Sequence, residues 1–332
     1  MNKKIKVLIT GGSGYIGSCL AAYLSGSYSV FTIDKKQISI FSDNKTIHYV
    51  VDLNNKKKLT KILNKIKPKF IIHLAGQSTI DMVKRKNLYY KNNILATKNL
   101  LSVVKNLKIP NIIFSSTAAV YKEKDSKINE KSKIYSKNMY GKSKIKCEIM
   151  IRKMNPKVTK YCILRFFNVC SSLVKNKIGE FHSPETHLLP IVINSIFFKK
   201  KIHIYGNNYP TKDGTCNRDY IHILDILSGI KKSIRYLSKK GNKSVIINLG
   251  SGRYYSVFQI VNKCFQIGKL KTKIIIKTIR NYDSSHLNCD IQKAKKILKW
   301  TPKFSNLQKI IKDEIWWQKY LKNKKLKRKF IY

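Results

Sequence analysis

The chain has 332 residues, 43% of them apolar, which is enough for one large domain or two coupled ones and too apolar for a disordered polymer. Its formal net charge is +51, yet the basic residues are overwhelmingly Lys spread along the whole chain, with Arg only at Arg85, Arg152, Arg165, Arg218, Arg235, Arg253, Arg280 and Arg328. Base readout and bidentate phosphate clamps lean on Arg, so the charge argues for loose adhesion to polyanions at low salt and against specific nucleic-acid binding.

In chain order, Lys6–Thr10 is a short apolar run that ends in glycines and leads into a helix-like stretch from Tyr15 to Leu24. Ser29–Ile33 reads as a second strand ending at Asp34, and strand-like runs recur at 48–51, 70–74, 111–115 and 161–166. Helical periodicity fills the gaps, as at Leu59–Ile66 and Asn92–Lys105. Strands alternating with helices at this spacing predict an α/β fold, a doubly wound parallel sheet covered on both faces. Beyond about residue 172 the rhythm becomes irregular, which predicts a smaller second domain. The basic stretch from Lys322 to Lys329 reads as a solvated end.

The seven cysteines (Cys19, Cys147, Cys162, Cys170, Cys216, Cys264, Cys289) are scattered without a C-x-x-C pair. They read as reduced core thiols, so neither a disulfide framework nor a metal site is expected. Met1-Asn2-Lys3-Lys4 starts like a signal-peptide n-region, but the apolar run behind it is short and meets Gly11-Gly12 at once. No window nears the ~20 apolar residues of a membrane span. A cytoplasmic protein with no membrane partner is expected.

Gly11-Gly12-Ser13-Gly14-Tyr15-Ile16-Gly17 follows the first strand and opens the first helix. Glycines at 11, 14 and 17 suit a tight turn, close approach to a pyrophosphate, and close helix–strand packing. The helix N-terminus adds free N–H groups and the positive end of a dipole. Asp34, at the end of the next strand, is placed to accept from both ribose hydroxyls and to repel a 2′-phosphate, which favours NAD over NADP. Lys35 and Lys36 work against that repulsion. Asp52 and Leu53, after the third strand, are candidates for the adenine, with a surface Asp at a strand end as the plain alternative.

Tyr140 and Lys144 lie four apart in a helical segment and so share one face. A free phenol, with a pKa of about 10, is a poor base at neutral pH. A neighbouring cation is expected to lower that value, as proton abstraction from a hydroxyl requires. In a Lys-rich chain the same spacing can also be a solvated helix face. For His73 and His222 a structural reading, a satisfied strand or turn histidine, is preferred to a catalytic one.

Together these motifs resemble the extended short-chain dehydrogenase/reductase family, and within it the NAD-dependent sugar-nucleotide epimerases, from Lys6 to about Gln318. Tyr15-Ile16-Gly17, His73-Leu74-Ala75-Gly76 and Tyr89-Tyr90-Lys91-Asn92-Asn93 match the cofactor domain, and Phe114-Ser115-Ser116-Thr117 matches the strand carrying the catalytic Ser/Thr. Phe166-Phe167-Asn168-Val169, Gly179 to Pro190 and Tyr205 to His222 match substrate segments. The resemblance implies Tyr140, Lys144 and Thr117 as catalytic residues. It implies NAD contacts from Gly11, Gly14, Tyr15, Ile16, Gly17, Asp34, Asp52, Leu53, Ala75, Gly76, Asn93, Ser115, Tyr140, Lys144 and Phe166. For the UDP-sugar it implies Thr117, Asn168, His187, Leu188, Tyr205, Arg218, Arg280 and Asp283. A homodimer is implied in the same way.

The activity so implied is reversible C4 epimerisation of UDP-glucose and UDP-galactose through a 4-keto sugar, with bound NAD. A 4-epimerase of N-acetylated UDP-sugars is the near alternative, and a decayed basic scaffold the distant one. Related dehydratases carry Asp-Glu after the catalytic Thr, where this chain has Ala118-Ala119, so elimination lacks its acid and base. Departures from the pattern are Ser78 in place of a Lys near the phosphates, Asn138-Met139 before Tyr140, and no Gly before Asp283. Leu287 stands where side-chain size is linked in relatives to acceptance of N-acetylated sugars. The expected division is 1–172 for NAD, with 217–240 packing back onto it, and 173–216 with 241–332 for the UDP-sugar.

Overall fold

The computed structural model describes residues 4–37, 45–78, 86–182, 185–280 and 283–326. Seven parallel strands form the main sheet. In chain order the first six are β1 (Lys6–Thr10), β2 (Ser29–Asp34), β3 (Ile47–Val50), β4 (Phe70–His73), β5 (Asn111–Thr117) and β6 (Lys160–Phe166). The seventh, Val245–Leu249, pairs with β6 at the edge, and the spatial order is Val245–Leu249, β6, β5, β4, β1, β2, β3. Val245–Leu249 lies within the 241–332 stretch assigned to the second domain, so the expected boundary at 241 does not coincide with the edge of the sheet.

Alternation along the buried strands explains the two covered faces. Val7 and Ile9, Phe70 and Ile72, and Cys162 and Leu164 point into one core, whereas Leu8, Ile71 and Ile163 point into the other. The helices α1 (Tyr15–Leu24) and α7 (Ile223–Ser238) pack together on the first face. On the second face lie α2 (Lys56–Ile66), α4 (Ala96–Asn106) and α5 (Met139–Arg152), with α3 (Lys86–Tyr89) and a π-helical turn, Tyr90–Leu95, leading into α4. Burying both faces of every central strand is what a β-α-β chain of this hydrophobic pattern requires.

β1 lies between β2 and β4, so the chain's crossovers change direction at its carboxyl end. In a doubly wound sheet that is where the ligand crevice opens. A third core is built from α6 (Leu188–Phe197), α8 (Val257–Gly268) and α10 (Leu307–Asn323), with the strand pair Ile202–Tyr205 and Ile274–Lys277 beside it. The short helix α9 (Gln292–Leu298) belongs instead to the first core, together with Trp300 and Trp317. The strand β7 (Asn168–Cys170) pairs with Tyr220–His222, which joins the end of β6 to the start of α7. The helix α7 that follows contacts β5 and β6 of the main sheet. All seven cysteines are buried free thiols. Among the described residues, no helix is long and apolar enough to cross a membrane.

Candidate active site

A cleft of about 480 Å³ runs over the carboxyl ends of the central strands. Its lining joins the glycine turn (Gly11, Gly14, Tyr15, Ile16, Gly17) to Gly76, Ser115, Thr117, Tyr140, Lys144 and Phe166. Asn168, His187, Arg218, Arg280, Asp283 and Leu287 line it as well. Most of the candidates taken from the sequence thus meet in one place.

The glycine turn is shaped by space as much as by conformation. Gly11 has φ +76°, and a Cβ there would stand 2.7 Å from the Ala75 amide nitrogen. A Cβ on Gly17 would overlap the Gly11 carbonyl. Helix α1 has Gly14 at its N-cap and no side-chain cap, so its first N–H groups remain available to an anion. Asp34 holds the turn from the end of β2, accepting from Ser13 N and Lys36 N at 3.1 Å each. The Tyr15 hydroxyl donates to the Ser171 carbonyl, leaving its ring as the part that faces the cleft.

Asp52 accepts from the Asn54 backbone at 2.8 Å, and Leu53 is buried in the second core. Asn93 is 2% exposed and its amide is engaged: Oδ1 accepts from Gln77 N at 2.6 Å, and Nδ2 donates to Gln77 O and Ser143 Oγ. Asn93 therefore positions the Gly76–Gln77 turn. Ser78 lies in the cleft wall and carries no charge.

Helix α5 presents Tyr140 and Lys144 to the cleft. Its N-cap is Asn138, whose side chain accepts from Gly141 N at 2.8 Å and so starts the helix. A Cβ on Gly141 would overlap Ser136 Oγ and the Ala119 carbonyl. Glycine at 141 thus lets α5 close on the turn after β5 and brings Tyr140 to Thr117. One turn on, Lys144 is 4% exposed and donates to the Ser115 carbonyl at 2.8 Å, with its Nζ 6.0 Å from the Tyr140 ring centre.

The protonation states differ from the sequence expectation. Burial pushes the Tyr140 phenol up to about 12, against a hydrogen bond with Thr117 that favours the phenolate. Burial lowers the Lys144 amine to about 8, opposed by Cys147 and Glu148. The spacing predicted a depressed phenol pKa. Here desolvation of the tyrosine outweighs its hydrogen bond with Thr117, and the Lys144 Nζ is directed at the Ser115 carbonyl.

Behind these groups lies a buried brace that the sequence did not single out. Glu148, the next residue on the Tyr140–Lys144 face, accepts from Ser116 Oγ at 2.5 Å and takes a two-pronged contact from Arg165 of β6 at 2.6 and 2.9 Å. Arg165 also donates to the Tyr121 hydroxyl at 2.7 Å, which donates to Asn248 at 2.7 Å. The only sequence signal was the continuing four-residue spacing from 140 through 144 to 148. In a chain this rich in charge that signal is weak.

At the far end of the cleft the Arg280 guanidinium stacks on the Tyr205 ring, 3.4 Å from its centre. Arg218 donates to its neighbour's carbonyl, Asn217 O, at 2.9 Å. Asp219 and Asp225 do not pair with it. Asp219 accepts from Ser251 and Gly252, and Asp225 accepts from Lys303, Phe304 and Ser305. The Arg280–Asp283 turn closes through Asp283 N to Arg280 O at 3.0 Å, with Asn281 and Tyr282 outside the described residues. Leu188 begins α6 and packs at the edge of the third core. Glu123 ties the two walls together, taking Lys137 Nζ at 2.6 Å and Ser285 N at 2.9 Å.

His73 and His222 serve the scaffold. His73 is fully buried between the hydroxyls of Thr10 and Thr97, and burial lowers its pKa to about 3. His222 caps α7 and contacts Asp313 at 3.1 Å.

A glycine turn at the switch point of a parallel sheet, facing a Thr–Tyr–Lys set, defines a nucleotide-dependent oxidoreductase-type site. The chain belongs to the NAD dependent epimerase/dehydratase family, whose model matches residues 7–250. Within that family it is similar to the UDP-glucose 4-epimerase of Halalkalibacterium halodurans, with 33% identity covering 94% of this chain and 95% of the relative. The UDP-glucose 4-epimerase of Bifidobacterium longum, solved in complex with NAD+ and UDP, superposes with TM-score 0.88 at 28% identity, covering 96% and 99% of the two chains. The UDP-Glc/GlcNAc 4-epimerase of Campylobacter jejuni gives 0.79 at 30% identity, covering 95% and 99%.

Proposed function

We propose that this chain interconverts UDP-glucose and UDP-galactose by inverting C4 of the sugar, with NAD as its resident cofactor. The observation that carries the reading is the convergence, in one cleft, of the glycine turn, the Thr117–Tyr140–Lys144 set and the Arg218 and Arg280 end. The residues present fit NAD: the uncapped start of α1 takes the pyrophosphate, and Asp34 stands at the ribose position beside the turn. When bound, NAD supplies a hydride acceptor for C4 and then a donor to the opposite face of the 4-keto sugar.

Tyr140 takes the proton of the 4-hydroxyl, and Thr117 hydrogen-bonds that oxygen and relays the proton. Lys144 holds the nicotinamide ribose and, together with the positive cofactor ring, offsets the burial that otherwise keeps the phenol protonated. Asn93 and Ser115 keep this end of the cleft in shape, while Asp52 and Leu53 border the adenine. Arg218 and Arg280 clamp the diphosphate, since guanidinium geometry suits bidentate contacts. Asn168, His187, Leu188, Tyr205 and Asp283 surround the rest of the uridine diphosphate. Ala118 and Ala119 offer no acid or base for elimination, so the keto sugar is reduced again and not dehydrated.

By the same family reading, the protein is a cytoplasmic homodimer. It has a cofactor domain around 1–172 with 217–240, to which Val245–Leu249 is joined, and a UDP-sugar domain from 173–216 and most of 241–332.

Purified protein is incubated with UDP-galactose and, separately, with UDP-GalNAc, without added NAD. Conversion of UDP-galactose supports the proposal. Failure to convert either sugar removes it. The second reading, acceptance of N-acetylated sugars, is favoured by the bifunctional Campylobacter jejuni neighbour and by Leu287, of intermediate bulk, in the cleft wall.

A further inference from the structure

One wall of the cleft carries a cluster of which the chemistry proposed above uses only His187. Glu180, His182, Glu185 and His187 each turn one ligand-type atom to a common point, all four atoms lying within 4.8 Å of one another. Glu180 Oε1 stands 2.9 Å from His182 Nδ1 and 2.8 Å from His187 Nδ1, and His187 Nδ1 stands 3.1 Å from Glu185 Oε1. The two imidazole rings are 5.4 Å apart. The carboxylates are 3% and 0% exposed, whereas the imidazoles reach the cleft at 35% and 46%. His182 Nδ1 is a buried atom whose contact in this cluster is Glu180. Among the described residues, this is the one group of three or more His, Cys, Asp or Glu side chains close enough to share an ion.

Two imidazole nitrogens and two carboxylate oxygens make a four-coordinate donor set. Bonds of about 2.0–2.2 Å place neighbouring donors of a tetrahedron about 3.3–3.6 Å apart, so small side-chain movements fit the observed spacing around an ion. Glu185 Oε1 also accepts from the Thr186 and His187 amides at 2.9 Å each, and the Glu180 carbonyl takes Trp317 Nε1 at 2.7 Å. Such outer contacts orient ligands before a metal arrives. A mixed imidazole and carboxylate set suits zinc, cobalt or nickel, whereas magnesium and calcium take oxygen throughout. We propose that Glu180, His182, Glu185 and His187 form a binding site for a divalent transition metal of the zinc type, on the same cleft wall as Arg218 and Arg280. The site stands whether or not the cleft takes a UDP-sugar.

Protein free of any affinity tag is stripped with a chelator, then titrated with Zn2+ by calorimetry and with Co2+ by visible absorption. One saturable equivalent is expected, with the visible bands of four-coordinate cobalt. His182 is the most accessible ligand outside the proposed substrate contacts, so His182→Ala is the first variant. It should weaken binding at least about 10-fold, the lower end of what losing even an outer-shell partner costs. His182→Gln keeps a polar side chain and replaces it if the Ala variant loses the native melting transition. No saturable Zn2+ binding to the wild type would show that protons alone hold the cluster together, and the proposal falls. Unchanged binding in a folded His182 variant overturns it equally.

Discussion

The phenol of Tyr140 and the amine of Lys144 are shifted in opposite directions by one cause, removal from water. In each case the neutral form gains, so the pair as folded is a proton donor beside a reluctant cation. That has two consequences. Tyr140→Phe removes the phenol hydrogen-bonded to Thr117 while leaving the glycine turn untouched. Turnover of UDP-galactose should fall about 10²–10⁴-fold, the usual range for a lost acid–base group, with cofactor absorbance in the purified variant unchanged. The second consequence concerns stability. Lys144 is held at about 8 against an ordinary 10.5, so between those pH values the unfolded chain binds the extra proton, and stability rises with pH across the window. Below pH 8 both states are charged and the cost of burying the charge is present in full. Relative to Lys144→Met, the wild type should therefore gain about 3 kcal/mol from pH 8 to 10.5, read from urea unfolding of both proteins. A constant difference across that range would sink the buried-cation reading.

Helix α5 brings the machinery together because of what it lacks at one position. Gly141 has the Ala119 carbonyl and Ser136 Oγ where a methyl would stand, and a backbone carbonyl held between β5 and its following turn cannot retreat cheaply. Gly141→Ala should cost about 1–3 kcal/mol of stability and tilt Tyr140 off Thr117. A misplacement near 1 Å lowers turnover by about 10²-fold. Gly26→Ala is the control: a Cβ there meets nothing within 4 Å, and its melting temperature and activity should stay near wild type.

The Tyr140–Lys144 spacing was legible in the sequence because helical periodicity alone puts the two on one face. Gly141 was passed over because its role depends on the 118–119 turn, which is distant in sequence and close only after β5 and α5 pack. Glu148 and Arg165 were hidden for the same reason. The direction of the Tyr140 shift was misjudged because charge spacing is visible in a sequence and burial is not. Val245–Leu249 looked like part of the second region because its neighbour β6 lies some eighty residues earlier, across the short strand pairs that periodicity does not resolve.

The molecule as a whole carries +51 around a cleft whose chemistry needs only a few of those charges. Lys144 is the one buried lysine among the described residues, so the other described lysines reach solvent, spread along the chain from Lys4 to Lys325. A dispersed ammonium surface attracts any polyanion by counterion release and discriminates among none. Fluorescence anisotropy with short duplexes of unrelated sequence should therefore show equal binding at low salt. A surface meeting 6–10 phosphates loses about 10³–10⁵ in affinity between 50 and 200 mM salt, so binding should vanish near physiological ionic strength. Tyr140→Phe should behave identically, because the adhesion does not pass through the cleft. If one sequence were held selectively at high salt, the surface would contain a built recognition site, and the excess charge could no longer be attributed to composition alone.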